Sequence, residues 1–394
     1  MIWTETSDCL CGIKNTLSKV NPLIRIAGFD LDDTLIIRSG AKNQCRLVDE
    51  VIIDKIIDLV KNKYLIIIFT NQSGMSKKKF DLVHWKKTVE ELYQRLMENI
   101  PKYYFAVYAA KQHNMYRKPN IGMWCLMKMD LIEKFGKINI SNRSFFCGDA
   151  AGRIKAGFYK KINSKNRKPD FSDTDRKFAL NLGIKFYTPE ECFIKEDINE
   201  EKFILKGLDP VKFLEADANT EEIPYEFIPR KKEMIIMVGQ PGSGKSFFVN
   251  KFIVKKGYVA INQDSLRTKI ACEKLVDLSI KENKSIVVDA TNPNVYSRMF
   301  YTLKAFNAGY KHIRCIIMNT DIDLSKHLNN VRHVYSNGEI KKVNNIVYNL
   351  FAKNYVRPQK SEKFDLIENV NFVFIKKFLD DDRWRKIFMM RSEV

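Results

Sequence analysis

Short, nearly uninterrupted apolar runs alternate along the chain with longer stretches in which apolar residues return every three or four positions. In the first half the runs read IRIAGF, YLIIIF, FAVYAA and SFFCG, and the stretches between them include LVDEVIIDKIIDLVKN and FDLVHWKKTVEELYQRLMENI. Strand-length runs separated by helix-period runs predict a parallel α/β sheet. From about Lys206 to Lys232 the pattern lapses: GLDPVKFLEADANTEEIPYEFIPRKK carries prolines and mixed charge without a sustained period, which predicts a linker. Beyond it EMIIMVG, SIVVDA and HIRCIIM open a second α/β series, with NNIVYNLFAKNYV near the end. The expected organisation is therefore a domain over 1–205, a linker over 206–231 and a second domain over 232–394, each built on a mainly parallel sheet.

Composition narrows this picture only a little. A chain of 394 residues is long enough for two cores, and 45% hydrophobic with 29% charged residues is ordinary globular composition. The N-terminus lacks the apolar core of a signal peptide, and runs such as YLIIIF are far too short to span a membrane. Eight scattered cysteines, with Cys9 and Cys11 the one close pair, read as reduced thiols of an intracellular protein rather than a zinc site. Lys+Arg 67 against Asp+Glu 47 leaves a formal charge of +20, which favours a polyanion as partner but also fits a lysine-biased set of solvated faces.

Chemistry enters where the first run ends. AGFDLDDTLI crowds Asp30, Asp32 and Asp33 behind an apolar lead-in. Like charges side by side raise each other's cost of ionisation, and a bound cation relieves it. With the two-residue period of a strand, Asp30 and Asp32 face one side at the carboxyl end of the sheet, where active sites of such sheets lie. That geometry suits Mg²⁺, which takes one or two carboxylates plus water and substrate phosphate. Asp30 can then attack phosphorus, and a protonated Asp32 can deliver a proton to the leaving oxygen. YLIIIFTNQSG places Thr70 and Asn71 at another strand end, a hydroxyl and an amide for the phosphoryl group. YRKPNIGMW offers Arg117 and Lys118 as cations against developing charge, and SFFCGDAAGR brings Asp149, so that Asp30, Asp32 and Asp149 form the expected metal set. Each stretch alone reads equally as a capped turn or a plain strand end; in this order, each behind an apolar run, they point to a phosphatase.

The second series carries its own motif. Gly239, Gln240, Pro241, Gly242, Ser243, Gly244, Lys245 and Ser246 match G-x-x-x-x-G-K-[ST] between a strand-like run and a helical stretch. Backbone N–H groups of such a loop close around phosphates, Lys245 reaches the β and γ oxygens, and the Ser246 hydroxyl joins Mg²⁺. The motif leaves ATP or GTP open and does not by itself separate a kinase from an ATPase or a switch. YVAINQDSLRTK adds Asp264 at a strand end, suited to accept a proton from a hydroxyl, and Arg267 one turn on to hold a neighbouring phosphate. The same two residues also read as a helix cap and a solvated arginine. SIVVDATNPN supplies Asp289, able to orient Mg²⁺ or its water, and HLNNVRHVY resembles a lid carrying Arg332 onto the donor phosphates.

At these residues the chain resembles a known family. AGFDLDDTLI, IFTNQ, YRKPNIGMW, CGDAAGR and DFSDTDRKFALNLGIKFYTPEE, spanning roughly Ile24 to Phe193, are similar to the phosphatase half of the animal-type polynucleotide kinase 3'-phosphatases of the haloacid dehalogenase superfamily. The resemblance implies a Rossmann-like domain that acts on a 3'-phosphate at a DNA end. It makes Asp30 the nucleophile, Asp32 the general acid, Asp30 and Asp149 the magnesium carboxylates, and Thr70, Asn71 and Lys118 the phosphate ligands. Over about Met234 to Ile375 the kinase halves are matched: QDSLR resembles the phage end-healing kinases, while DATNPN and the phosphatase-before-kinase order match the animal enzymes. That implies transfer of the ATP γ-phosphate to a 5'-hydroxyl, with Asp264 as base, Lys245 and Arg332 on the donor and Arg267 on the acceptor strand.

The implied protein is a two-site end-healing enzyme using Mg²⁺ and ATP, acting on DNA ends and handing them to a DNA ligase. An RNA-end or small-nucleotide kinase/phosphatase shares this motif space, and a nucleic-acid-binding ATP switch with a vestigial phosphatase site is the alternative from another class. Three departures stand out. Asp33 occupies the place of the family's usual Gly, the stretch after RSG is shorter, and the residues ahead of Ile24 leave no room for a forkhead-associated domain, so no scaffold partner of that kind is expected.

Overall fold

A computed structural model of the chain describes residues 1–37, 46–77, 80–98, 100–154, 169–194, 203–217, 225–372 and 375–393. The shortened stretch after RSG lies outside them. Two compact units are present, Met1–Gly207 with Met389–Glu393, and Leu208–Phe388. Residues 389–393, expected in the second domain, thus group with the first. The stretch expected as a linker contains a helix, Pro210–Asp217, that groups with the second unit.

In the first unit the described strands are β1 (Ile2–Glu5), β2 (Cys9–Asn15), β3 (Leu23–Phe29), β4 (Tyr64–Asn71), β5 (Tyr104–Ala110), β6 (Asn139–Ile140), β7 (Phe145–Cys147) and β8 (Lys185–Tyr187). They form one sheet in the order β1-β2-β5-β4-β3-β7-β8, with β6 also paired to β3. The pairs β5/β4, β4/β3, β3/β7 and β7/β8 are parallel. The N-terminal hairpin β1/β2 is antiparallel and joins β5 antiparallel at the edge, an addition the apolar pattern did not announce. The run LIIIF in β4 shows why its apolar residues are unbroken: Ile66 and Ile68 enter the core on one face, Leu65, Ile67 and Phe69 the core on the other. A central parallel strand covered on both faces needs apolar side chains at every position.

Helices take the residues whose period is longer. Val51–Lys61 buries Ile52, Ile56 and Leu59 on one stripe. Leu82–Met97 starts where the Asp81 carboxylate accepts the His84 N–H and buries Val89, Leu92 and Leu96. Because β5, β4, β3 and β7 run parallel, their carboxyl ends meet at one edge, and the segments after Phe29, Cys147 and Ala110 and the last residues of β4 are brought together there.

In the second unit β9 (Glu233–Val238), β10 (Val259–Ile261), β11 (Ile286–Val288), β12 (His312–Asn319) and β13 (Leu366–Asn371) form an all-parallel sheet in the order β10-β11-β9-β12-β13. Here too alternation sorts one run onto two faces, Met234, Ile236 and Val238 to one core and Ile235 and Met237 to the other. Among the described residues no helix is long and apolar enough to cross a membrane.

A buried ion pair ties this unit together. Arg298 is fully buried and donates to Glu362 from Nε at 2.7 Å and from Nη2 at 2.9 Å, while Nη1 reaches the Asn292 carbonyl at 3.1 Å. Arg298→Met leaves a buried carboxylate without its cation, a loss of about 3 to 5 kcal/mol. The expected result is a lower urea midpoint for the unfolding of the second unit. Replacing both partners, as Arg298→Met with Glu362→Leu, should recover most of it.

Candidate active sites

Four strand ends build the first site. The chain leaves β3 at Phe29, and the Asp30 N–H donates to Cys147 O at 2.8 Å, holding Asp30 at the junction of β3 and β7. Lys118, almost fully buried in the loop after β5, donates from Nζ to Asp30 Oδ1 at 2.6 Å and pairs with Asp175 Oδ1 at 2.7 Å. It also lies 5.0 Å from the centre of the Phe146 ring. Burial opposes its charge, yet Asp175 and Asp30 hold the ammonium above the ordinary lysine value.

Asp30, Asp149 and Asp175 each turn an oxygen into one place, all within 4.8 Å of one another. Burial, then Asp175 and Asp30, push the Asp149 carboxyl well above the usual range. Burial likewise raises Asp175 to about 6, with Lys118 pulling against it. Three crowded carboxylates with one lysine between two of them make a donor set of hard oxygens with surplus negative charge, which fits Mg²⁺. The approach of Asp175 depends on Gly148: a Cβ there would stand 2.3 Å from Asp175 Oδ2.

The second site forms at the carboxyl end of β9. Gly242 and Gly244 take φ of +73° and +89°, and a Cβ on Gly242 would meet Ser325 O at 2.3 Å, so the loop closes only with glycine there. The loop runs through Gln240 and Pro241, with the Gln240 amide donating to Thr320 O and Ser325 Oγ, both at 2.9 Å. Lys245, at the start of the next helix, donates from Nζ to Gly239 O at 2.9 Å and Gln240 O at 2.7 Å. Burial lowers it to about 8, opposed by Asp289. Ser246 is exposed, and Asp289 is buried, its Oδ2 accepting from Asn262 Nδ2 at 2.7 Å. Asn262 also caps the short helix Gln263–Leu266, which presents Asp264 to solvent and ends at Arg267 in a left-handed turn. A cavity of about 500 Å³ opens beside the loop, lined by Gly244, Lys245, Arg332, Phe378 and Trp384 among others.

Residues 25–193 match the polynucleotide kinase 3 phosphatase family, and residues 234–358 match the AAA domain family. Over 401 aligned residues, covering 100% of this chain and 95% of the other, the sequence is 50% identical to an Acanthamoeba polyphaga mimivirus protein assigned as a bifunctional polynucleotide phosphatase/kinase. It is 30% identical over 389 residues, 97% of this chain and 87% of the other, to the bifunctional polynucleotide phosphatase/kinase of Schizosaccharomyces pombe. The chain belongs to this family. A polynucleotide 3'-phosphatase of Arabidopsis thaliana aligns at 31% identity over 44% of this chain and 25% of its own.

Within this bifunctional phosphatase/kinase, several residues stand elsewhere than the sequence suggested. Asp32, expected with the metal carboxylates, lies outside the Asp30, Asp149, Asp175 group, and its Oδ2 accepts from Gln72 Nε2 at 2.6 Å. The reason is that β3 ends at Phe29, and Asp33 at φ 58° turns the chain, so the two-residue strand period does not carry through the motif. Thr70 is buried with its hydroxyl accepting from the same Gln72 amide at 3.1 Å. Asn71, expected on the phosphate, gives its amide to the Lys118 backbone instead, accepting from Lys118 N at 2.8 Å and donating to Lys118 O at 3.1 Å. Arg117, also expected on the phosphate, holds the Glu393 carboxylate.

Gln72, Thr34 and Asp175 were missed. Thr34 Oγ1 accepts the Asp149 N–H at 3.1 Å and so links the first motif to GDAAGR. The signal for Asp175 was weak: in DFSDTDRKF it reads as one of several acidic residues opening a helix.

Proposed function

We propose that the first unit removes 3'-phosphates from DNA ends by way of a phosphorylated Asp30, and that the second transfers the ATP γ-phosphate to 5'-hydroxyl ends. The observation that carries the reading is the Asp30 carboxylate gripped by buried Lys118 at the meeting point of four strand ends, beside Asp149 and Asp175.

Asp30 attacks phosphorus, the bond to the 3' oxygen breaks, and Asp32 supplies the proton that this oxygen needs. Asp32 then takes a proton from the water that cleaves the phosphoaspartate, releasing phosphate and restoring Asp30. Lys118 balances charge on the transferring group, and the Thr70 hydroxyl binds it. In the second unit Asp264 accepts the proton of the 5'-hydroxyl, Arg267 holds the acceptor strand, and the loop N–H groups, Lys245 and Arg332 hold the donor phosphates. Mg²⁺ held by Asp30, Asp149 and Asp175, and by Ser246 and Asp289, would screen phosphoryl oxygens and orient them for in-line displacement. The formal charge of +20 suits a nucleic-acid substrate, and the products are the ends that a DNA ligase joins.

One nicked DNA duplex carrying a 3'-phosphate and a 5'-hydroxyl tests the reading. With ATP and Mg²⁺ both ends should be converted, and chelation of the metal should stop both conversions. A matched RNA nick should be healed more slowly. Faster healing of RNA, or conversion of one end only, would contradict the proposal.

A further inference from the structure

The last described residues are fastened to two pieces of the phosphatase centre. Arg117 donates from Nε to Glu393 Oε2 and from Nη2 to Glu393 Oε1, both at 2.9 Å, in a largely enclosed pair. Asn181 donates from Nδ2 to Pro119 O and to Arg391 O, each at 2.9 Å, and its Oδ1 accepts the Arg391 N–H at 2.7 Å. Lys177, almost fully buried, donates from Nζ to Ser392 O at 2.9 Å and to Lys206 O at 2.7 Å, and pairs with Asp173 at 2.9 Å.

These contacts converge on one object. Arg117 and Pro119 flank Lys118 in a loop without regular secondary structure. Lys177 and Asn181 share the helix Thr174–Leu182 with Asp175, the second carboxylate on Lys118. Asn71 anchors the Lys118 backbone from β4, and the C-terminal segment anchors its neighbours, Arg117 directly and Pro119 by way of Asn181. A catalytic group must be held within about 0.5 Å of its productive place by residues around it, and a lysine that bridges two buried carboxylates tolerates little drift.

We propose that Met389–Glu393 is a working part of the phosphatase centre, with Glu393 and Asn181 as positioning residues. Together they clamp the 117–119 loop to the Thr174–Leu182 helix and so fix Lys118 Nζ between Asp30 and Asp175. The phosphatase thus depends on residues that follow the kinase sequence. The inference rests on the reading of Asp30 and Lys118 as the phosphatase centre.

The test compares the wild-type 394-residue chain, Glu393→Gln, Arg117→Gln, the double variant Arg117→Gln with Glu393→Gln, the reversed pair Arg117→Glu with Glu393→Arg, a chain ending at Phe388, and Asp30→Asn. Glu393→Gln should lower phosphatase kcat about tenfold with KM for 3'-phosphate ends unchanged, and the shortened chain about a hundredfold, the size of a misplacement near 1 Å. Kinase activity of the same samples should stay at the wild-type level, and near-UV circular dichroism with the melting temperature of each variant serves as the folding control for the first unit. Arg117→Gln should cost as much as Glu393→Gln, the two together no more than either, and the reversed pair should regain most of the loss.

An unchanged or raised kcat in Glu393→Gln overturns the proposal, as does an effect confined to KM. A rise would mean that Glu393 blocks Arg117 from substrate. If the shortened chain loses both activities, Glu393→Gln and the reversed pair decide. If Asp30→Asn keeps full phosphatase activity, the reading of the centre fails, whatever the Glu393 variants do.

Discussion

Asp30→Asn is expected to lower 3'-dephosphorylation on the order of 10⁴-fold or more while 5'-phosphorylation stays at the wild-type level. The size follows from removing a nucleophile, since the remaining groups bind and polarise the phosphate but have nothing to form the covalent intermediate. The change keeps the shape of the side chain, and Lys118 keeps Asp175 as a charged partner at 2.7 Å. It also removes one of three crowded carboxylates; burial is the main cause that raises Asp149 and Asp175, but the share that the Asp30 charge adds falls away. The melting temperature should therefore not drop. Phosphate release from a 3'-phosphate oligonucleotide, single turnover, with melting followed in parallel, checks both statements. Retained dephosphorylation would remove Asp30 from its role.

The second large effect belongs to Lys245→Ala, which should lower 5'-phosphorylation roughly 10³-fold and leave 3'-dephosphorylation intact. Lys245 Nζ now rests on the carbonyls of Gly239 and Gln240, with burial lowering it to about 8. Phosphate oxygens at this position would take over those contacts and favour the charged ammonium, so the lysine is available to the donor at little structural cost. Removing one such fixed cation from a water-poor site typically costs 10²- to 10³-fold, hence the rough figure. Transfer of labelled γ-phosphate to a 5'-hydroxyl oligonucleotide reads the loss. If both activities fell together in a folded protein, the two centres would not be independent.

How far the site was legible can be judged residue by residue. The meeting of Asp30 and Asp149 is legible because each stands just past an apolar run, and that of Lys118 because its loop follows another, since parallel strands bring such positions to one edge. The glycine-rich loop was readable because its spacing is local and its glycines answer to backbone geometry, as the positive φ of Gly242 and Gly244 shows. Asp32 stands apart from the Asp30, Asp149, Asp175 group because a two-residue period holds only while a strand lasts, and β3 stops at Phe29. By residue type Asn71 and Arg117 suit a phosphate, one with an amide and the other with a guanidinium. Neither the amide's hold on the Lys118 backbone nor the carboxylate that Arg117 meets, 276 residues away, leaves any mark in the neighbouring sequence.

By itself the sequence determined the two parallel α/β units and the chemical type of each centre, because alternation, helical period and short motifs are written within a few turns or strands of chain. Tertiary structure alone decided that Asp175 completes the carboxylate group, that Gln72 holds Asp32, and that Met389–Glu393 returns to the first unit. Those are encounters between side chains far apart in sequence, and packing and charge compensation select them only after the sheet has brought its strand ends together.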